Sequence, residues 1–243
     1  MLHKTKGIVL RTVKYGETSV VATIFTELFG VQTYLVNGVR TSRAKSAKGN
    51  LLHPPNMLEM VVYHHAQKNL QRISEFRLSY IYQSLHYKVI KNTIALYIAE
   101  LLSHILKQPE THTELYYFSE NILQQLDLQA GNVANFPLFF TLKIAALSGF
   151  NVNGKFSAAT PYLDLQEGSF VPQAPSHPYY LEKEWSEYTH HFLQMKKPEE
   201  AMELSLNKTI RWNLLMAYLD YIRLHVHDFT PLKSPAVLHE ILD

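Results

Sequence analysis

The 243-residue sequence predicts an α+β protein with two domains, a β domain over residues 1–80 and a helical domain over residues 81–243. Short β-branched runs separated by turn residues occupy the first part of the chain. A helical period of apolar residues starts near Ser84. The charge changes sign there as well: residues 1–80 hold 11 basic and 4 acidic residues, and residues 81–243 hold 12 and 17. Opposite signs suggest domains with different partners.

Five short strands are predicted in the β domain, which fits a small barrel or sandwich. Gly16 ends the first run, Gly30 ends the second, and Asn37-Gly38 ends the third. A polar stretch separates these three runs from the last two. The predicted strands are 7–13, 19–26, 31–36, 57–64 and 70–78.

The helical domain is predicted from apolar spacing and from helix-end signals. Thr111-His112-Thr113-Glu114 has the capping-box pattern, which predicts a helix starting at Thr111 and running to about Leu128. Pro137 and Gly149 are typical first and last residues of another helix. Residues 151–182 contain four prolines and are expected to be irregular. Further helices are predicted at 85–107, 185–193, 207–227, from 198 and from 234.

Composition excludes several classes of function. The chain has no cysteine, which excludes disulfides, a thiol nucleophile and cysteine-ligated zinc. Its nine glycines form neither a nucleotide-binding loop nor a serine-hydrolase elbow. No signal peptide is evident, and the longest stretch without Asp, Glu, Lys or Arg, residues 128–142, is too short for a membrane span. We therefore expect a soluble cytoplasmic protein without a cofactor.

One sequence feature suggests an enzyme. His225-Val226-His227-Asp228 resembles a fragment of a metallohydrolase motif. It falls at the end of a predicted helix, where residues two apart point about 200° away from each other and cannot converge on one metal. We predict no metal site there, and a hydrolase using this group remains an alternative function.

The strongest functional signal is a run of cations. The segment 38–49 carries Arg40, Arg43, Lys45 and Lys48 among small residues, with no acidic residue. Two further cations, Arg11 and Lys14, lie on the first strand and at its end. Cations that remain accessible in a basic domain are typical of proteins that bind nucleic acid through its phosphates. We predict that these six residues bind DNA.

The N-terminal motifs resemble those of the RecO family of bacterial recombinational-repair proteins. A Glu-Thr-Ser triplet between two strands is followed by a basic loop, and the similarity continues more weakly to Ser234–Leu238. The matching segments are Gly7-Ile8-Val9-Leu10, Tyr15-Gly16-Glu17-Thr18-Ser19, Phe25-Thr26, Gly30, Gly38-Val39-Arg40 and Ser42-Arg43.

The resemblance implies a five-stranded OB-fold β-barrel followed by an all-helical C-terminal domain, and a protein that is not an enzyme. It implies binding of single- and double-stranded DNA and annealing of complementary strands. The implied partners are RecR and the acidic, apolar tail of the single-stranded-DNA-binding protein, with RecF a further candidate. With RecR, such proteins help RecA load onto coated DNA in the bacterial nucleoid. An RNA-binding or translation OB-fold module is the alternative with the same fold.

The sequence departs from the family in two places. Many members carry a four-cysteine zinc site after the Gly-Phe matched here by Gly149-Phe150, and this chain has no cysteine. We expect residues 151–182 to be held instead by packing of Tyr162, Leu163, Phe170, Tyr179 and Tyr180. Some members also place an arginine early in the helix matched by 137–147, where Lys143 is the one cation here. The expected tail-binding residues are Phe139, Leu142 and Lys143.

Overall fold

The N-terminal strands form a closed barrel. The structure is a computed structural model that describes residues 1–39 and 48–242. The barrel strands are β1 (Leu2–Tyr15), β2 (Ser19–Thr26), β3 (Gly30–Val36), β4 (Met57–Tyr63) and β5 (Gln71–Leu78). They close in the order β1-β2-β3-β5-β4, antiparallel except for the β3–β5 pair. This is the architecture of an OB-fold, so the predicted α+β class with an N-terminal barrel is confirmed.

A β-bulge in β1 reverses the alternation of its side chains. Val9 pairs with Ile24 and points into the barrel, but the register shifts between Val9 and Arg11. Arg11 pairs with Thr23, which lies between the inward-facing Ala22 and Ile24 and therefore points outward. Under strict alternation Arg11 would share the inner face with Val9. The bulge thus turns Arg11 to the outside of the barrel.

Two helices cover part of the barrel's outer surface. They are α1 (Val89–Ile105) and α2 (Thr113–Leu128). The ring of Phe25 in β2 packs edge-to-face on Tyr116 in α2, with centroids 5.5 Å apart. Gly30, with φ +62°, is required where the chain approaches the Glu110 backbone, because a Cβ there would lie 1.9 Å from the Glu110 carbonyl oxygen.

These contacts make Met1–Leu128 one compact unit and Gln129–Asp243 another. The sequence places the domain boundary at residue 80, where the period changes from strand to helix. Contacts between residues instead group α1 and α2 with the barrel. The Ile8 and Phe25 side chains, on the part of the barrel surface that these helices cover, are fully buried. A change of local period therefore does not coincide with the division between compact units.

Asp127 ties the end of α2 to the segment that leaves the barrel. Its buried carboxylate accepts hydrogen bonds from the backbone N–H groups of Gln83, Ser84 and Leu85 at 2.7–2.9 Å. Burial alone raises the pKa of this carboxyl, but these donors and the Tyr80 hydroxyl outweigh burial, so the pKa of Asp127 is lowered.

The second unit contains five helices and a small sheet among its described residues. The helices are α3 (Phe136–Leu147), α4 (Lys183–Gln194), α5 (Pro198–Glu203), α6 (Lys208–His225) and α7 (Ser234–Ile241). Helix α3 is buried over most of its surface and packs against α4, α5 and α6. Such a helix, apolar on all sides, is expected at the centre of a helical unit.

The segment predicted to be irregular contains a three-stranded sheet in the order β7-β6-β8. Its strands are β6 (Tyr162–Asp164), β7 (Ser169–Val171) and β8 (Tyr180–Leu181). Leu163 and Phe170 are buried, and Tyr162 packs edge-to-face on Tyr180. The expectation of packing by these residues is met, and backbone pairing adds to it.

Several helix ends differ from the sequence prediction by a few residues, and two of them have an informative position. Helix α2 begins at Thr113, and the Thr111 hydroxyl donates to the Leu28 carbonyl in the β2–β3 turn at 3.1 Å. The Thr111 side chain therefore makes a tertiary contact instead of capping the helix as the capping-box pattern predicts. Helix α6 ends at His225, two residues before the predicted end. Within the described parts of the chain, no helix is long and apolar enough to cross a bilayer.

Candidate nucleic-acid interface

The predicted DNA-binding cations of β1 lie on opposite sides of the strand. Arg11 is exposed on the outer face of the barrel, beside Thr23 and Thr33 of β2 and β3. Lys14 pairs with the buried Val20, so its side chain lies on the side of β1 that faces the barrel interior. It is nevertheless exposed, because β1 extends beyond the barrel rim at this point. The two side chains therefore lie on two different surfaces: Arg11 on the outer face of the sheet and Lys14 at one end of the barrel.

A row of outward side chains continues across the sheet from β1 to β4. Pairing of the strands aligns its members, because side chains of paired residues share a face. The row combines half-exposed apolar groups with one cation and one tyrosine, and it contains no acidic residue. Its members are Val13, Val21, Leu35, Arg72 and Tyr63.

The β4–β5 loop forms a groove at the end of this row. Gln71 holds the loop: its side-chain amide donates to the carbonyls of His65 and Lys68 and accepts from the His65 N–H at 3.0 Å. The groove has a volume of about 570 Å³. Its lining residues are Leu35, Tyr63, His65, Lys68, Leu70, Gln71 and Arg72.

The groove combines features that bind single-stranded nucleic acid, namely cations for phosphates and an exposed aromatic ring for bases. Strand β3 and the β4–β5 loop, which both line this groove, are among the parts of an OB-fold that commonly bind oligonucleotides. Sequence reasoning did not assign Lys68 or Tyr63 to a site. The sequence signal for this site was the cation Lys68 in the connection between β4 and β5. Only closure of the barrel brings that connection beside β3.

The same loop is anchored by a small cluster of rings. His64 stacks on Phe29 of the β2–β3 turn, with centroids 3.9 Å apart and planes 12° from parallel. The His64 N–H donates to the Met1 carbonyl. The pKa of His64 is lowered by burial and then by the nearby His3, His65 and N-terminal ammonium group. His64 is therefore a neutral support for the loop at pH 7, and the charge of the groove comes from Lys68 and Arg72.

Three predicted DNA-binding residues, Arg40, Arg43 and Lys45, lie outside the described residues. Lys48, the fourth cation of the run, is exposed at the start of a helical turn over 48–51. That turn is held to β1 by the Thr12 hydroxyl, which donates to the Leu52 carbonyl at 2.5 Å, and Leu52 closes the barrel core. The barrel thus carries Lys48 at the rim where Lys14 emerges.

The residues predicted to bind the tail differ in accessibility. Phe139 and Leu142 are buried in α3, since they form part of the core of the second unit. Lys143 is half-buried, with its ammonium 5.6 Å from the centre of the Phe139 ring, and burial lowers its pKa. Leu142 and Lys143 both line a cavity of about 240 Å³, whereas Phe139 does not line it.

A second, narrow and largely apolar cleft in the same unit lies beside the start of α3. Leu138 and Leu238 contribute apolar wall, Trp212 lies with its ring 4.4 Å from that of His239, and Lys208 and Arg211 contribute positive charge. Arg211 is itself nearly buried and donates to the Leu206 carbonyl. Sequence spacing on α3 alone did not connect these residues.

The metallohydrolase fragment does not assemble a site. The His225 Nδ1 lies 2.8 Å from the Tyr221 carbonyl of its own helix, and His227 contacts Asp228 at 3.3 Å. No cluster of three potential metal ligands occurs in residues 1–39 or 48–242. The second unit also lacks the cysteines of the family's zinc site, so its residues do not fit that metal.

Comparison with known proteins identifies the family. Residues 1–82 match the family model described as Recombination protein O N terminal, and residues 86–235 match Recombination protein O C terminal. The chain belongs to the RecO family. It is 32% identical to the DNA repair protein RecO of Phocaeicola vulgatus over 99% of both chains. It is 31% identical to that of Bacteroides fragilis and 29% to that of Azobacteroides pseudotrichonymphae, each over the full length of both chains.

Proposed function

We propose that this chain binds single- and double-stranded DNA through its barrel and anneals complementary strands during recombinational repair. The observation that carries the proposal is the outward row of Val13, Val21, Leu35, Arg72 and Tyr63, which leads into the groove of the β4–β5 loop and contains no acidic residue. Apolar and aromatic surface beside cations suits unpaired bases and their phosphates.

The proposed mechanism is electrostatic. Arg11 and Arg72 lie on the outer face, whereas Lys14 and Lys48 lie at the barrel rim. Cations on two surfaces can neutralise the phosphates of two strands, which lowers their mutual repulsion and lets base pairing proceed. The mechanism requires no bond-making residue, and we propose a mediator without catalytic turnover that acts in the bacterial cytoplasm.

The helical unit is the proposed site for the tail of the single-stranded-DNA-binding protein. A tail with acidic groups and an apolar terminus requires an apolar cavity beside a cation. The cavity at Leu142 and Lys143 provides both, and the cleft at Arg211 and Trp212 is the competing location. Together with RecR, and with RecF as a further candidate partner, the chain would help RecA load onto DNA covered by that protein.

The decisive experiment is strand annealing with the single-stranded-DNA-binding protein present, measured alongside DNA affinity at several salt concentrations. Each phosphate contact to duplex DNA contributes about −0.9 to the slope of log affinity against log salt. Replacing Arg40, Arg43, Lys45 and Lys48 by alanine should therefore flatten the slope by roughly 2 to 4 units and reduce annealing.

The matched control for charge loss is Arg77→Ala, because the Arg77 guanidinium is already bonded to the Glu59 carboxylate. An unchanged salt slope in the folded quadruple variant would assign DNA binding to the remaining cations of the barrel, Arg11, Lys14 and Arg72. Failure of the unmodified protein to bind or anneal DNA would refute the proposed function.

A further inference from the structure

We infer that the segment joining the barrel to α1 carries a second base-stacking site for single-stranded nucleic acid, centred on Tyr87. Tyr87 is 83% exposed and Ile81 76%, and among the large apolar side chains of the described residues only Met1 is more exposed. Lys88 and Lys48 are also exposed. The inference rests on the proposed function, because it extends the path of a strand already bound to the barrel.

The exposed ring is mounted on a rigid support. Next to Tyr87, the His86 Nε2 lies 2.9 Å from the Asn56 Oδ1, and the Asn56 side-chain nitrogen donates to the Asn50 and Leu51 carbonyls. Because Asn56 donates through its nitrogen, its oxygen is the acceptor, and His86 carries its proton on Nε2. Tyr82 adds a hydrogen bond to the Pro55 carbonyl at 2.9 Å. The segment bearing Tyr87 is thereby bonded to the turn bearing Lys48.

This location is continuous with the basic end of the barrel. The segment leaves the barrel after β5, at the end where β4 begins and where the connection from β3 returns. Lys48 stands on that connection. A strand with a phosphate on Lys48 would therefore reach Tyr87 without crossing to the opposite end of the barrel.

The chemistry of the segment favours a polyanion with flat apolar groups. Residues 80–93 contain Lys88 and Lys91 but no acidic residue. Lys91 is buried and donates to the Asp127 carbonyl, so Lys88 is the cation available to a phosphate. Burial, and then the neighbouring His53, lower the pKa of His86, which is neutral at pH 7 and serves as a hydrogen-bonding support. An exposed tyrosine beside a cation is the arrangement on which unpaired bases stack.

The test measures the affinity of a labelled oligothymidine by fluorescence anisotropy, using the full chain. Tyr87→Ala should weaken binding about 5- to 150-fold, the range for loss of one stacked base, without changing the salt slope. Tyr87→Phe keeps the ring and should bind like the unmodified protein. Tyr87→Leu keeps apolar bulk without a flat ring and should bind like Tyr87→Ala. Lys88→Ala should flatten the salt slope by about 0.7, the single-strand contribution of one phosphate.

The outcomes separate this inference from the proposed function. If Lys68→Ala with Arg72→Ala weakens binding and Tyr87→Ala does not, the barrel binds DNA and the stacking site is refuted. Retained oligothymidine affinity in the Tyr87→Leu variant also refutes stacking. A Tyr87→Ala variant that binds DNA normally but no longer binds RecR or the tail peptide refutes it as well. Absence of DNA binding by the unmodified chain refutes the proposed function instead. A covalent adduct at Tyr87 after ultraviolet irradiation with the oligothymidine would support the site independently.

Discussion

The two compact units place positive charge in different surroundings. In Met1–Leu128, the cations Arg11, Lys14, Lys48 and Arg72 are exposed on a sheet face and at a barrel rim. In the second unit, Lys143 is half-buried over an aromatic ring and Arg211 is almost fully buried beside an apolar cleft. The side-chain types are the same, and only their surroundings differ.

The difference supports the two kinds of anionic partner proposed above. Exposed cations spread over a surface gain little individually, but they release counterions from a polyanion, so binding is strong at low salt and weakens as salt rises. A cation set in an apolar cavity acts on one carboxylate with reduced screening and suits a short peptide that also carries apolar side chains. The first arrangement fits DNA, and the second fits an acidic tail.

The largest expected effect tests which residues belong to the first unit. A fragment of residues 1–128 should unfold cooperatively in urea, whereas a fragment of residues 1–80 should not, because it exposes the barrel face bearing Ile8 and Phe25. Circular dichroism and urea titration of both fragments provide the measurement. A stable, cooperative 1–80 fragment would support the domain boundary that the sequence predicts.

The next largest effect concerns Asp127 in the same unit. Asp127→Asn replaces a carboxylate that accepts three backbone N–H groups, and it should lower the free energy of unfolding by about 3 kcal/mol at pH 7. Since the pKa of Asp127 is lowered in the folded state, its stabilisation is complete above the unfolded value near 4 and is lost as the pH falls below it. Urea titrations across this range should show the two proteins converging at low pH.

Asp220→Asn is the control for that experiment. Asp220 pairs with Arg223 on the exposed surface of α6, so its replacement should change stability by no more than about 0.5 kcal/mol. A constant difference between the Asp127 variant and the unmodified protein at every pH would show that the carboxylate charge is not what stabilises the contact.

A smaller effect distinguishes the two cavities of the second unit. Lys143→Glu should weaken binding of a labelled tail peptide about tenfold, the loss of roughly 1.4 kcal/mol expected for one charge contact, and leave DNA affinity unchanged. Lys208→Glu makes the same charge change at the other cleft. Fluorescence anisotropy with both variants decides the location. Loss of peptide binding in the Lys208 variant alone would move the site to the cleft of Arg211.

The smallest effect concerns one phosphate contact on the barrel. Arg11→Ala should flatten the salt slope for duplex DNA by about 0.9 and reduce affinity only a few-fold. The loss should be the same for unrelated DNA sequences, because phosphate contacts carry no base information. An unchanged slope in the Arg11 variant would exclude Arg11 from the phosphate contacts of the first unit.

Much of the fold could be predicted from the sequence because its signals are local. β-branched runs ending at glycines predict the first strands: β2 has the predicted bounds of 19–26, whereas β1 begins at Leu2, five residues before its predicted start. The period of 3.6 residues likewise predicts the long helices to within a few residues. The change in charge sign and the absence of cysteine follow from composition alone.

The candidate site could be predicted only in part. Basic residues on the first strand and in the following loop are visible in the sequence, and they suggest a polyanion. The direction of Arg11 is not visible, because a bulge at Leu10 reverses the alternation, and bulges depend on how two strands pair. The groove at Lys68 and Arg72 is equally hidden, since it requires β5 to pair with β3 across the closed barrel.

By itself, the sequence determined most of the segments of this protein that become strands and helices, and that its N-terminal part is basic. Tertiary structure alone decided which side chains of those segments are buried, which stay accessible and which contact one another. Phe139 became core while Lys143 kept access to a cavity, and Thr111 bonded to the Leu28 carbonyl of the barrel. The physical reason is the distance along the chain over which each effect acts. Propensity and periodicity depend on a few neighbouring residues, whereas burial and tertiary hydrogen bonds depend on residues far apart in the sequence.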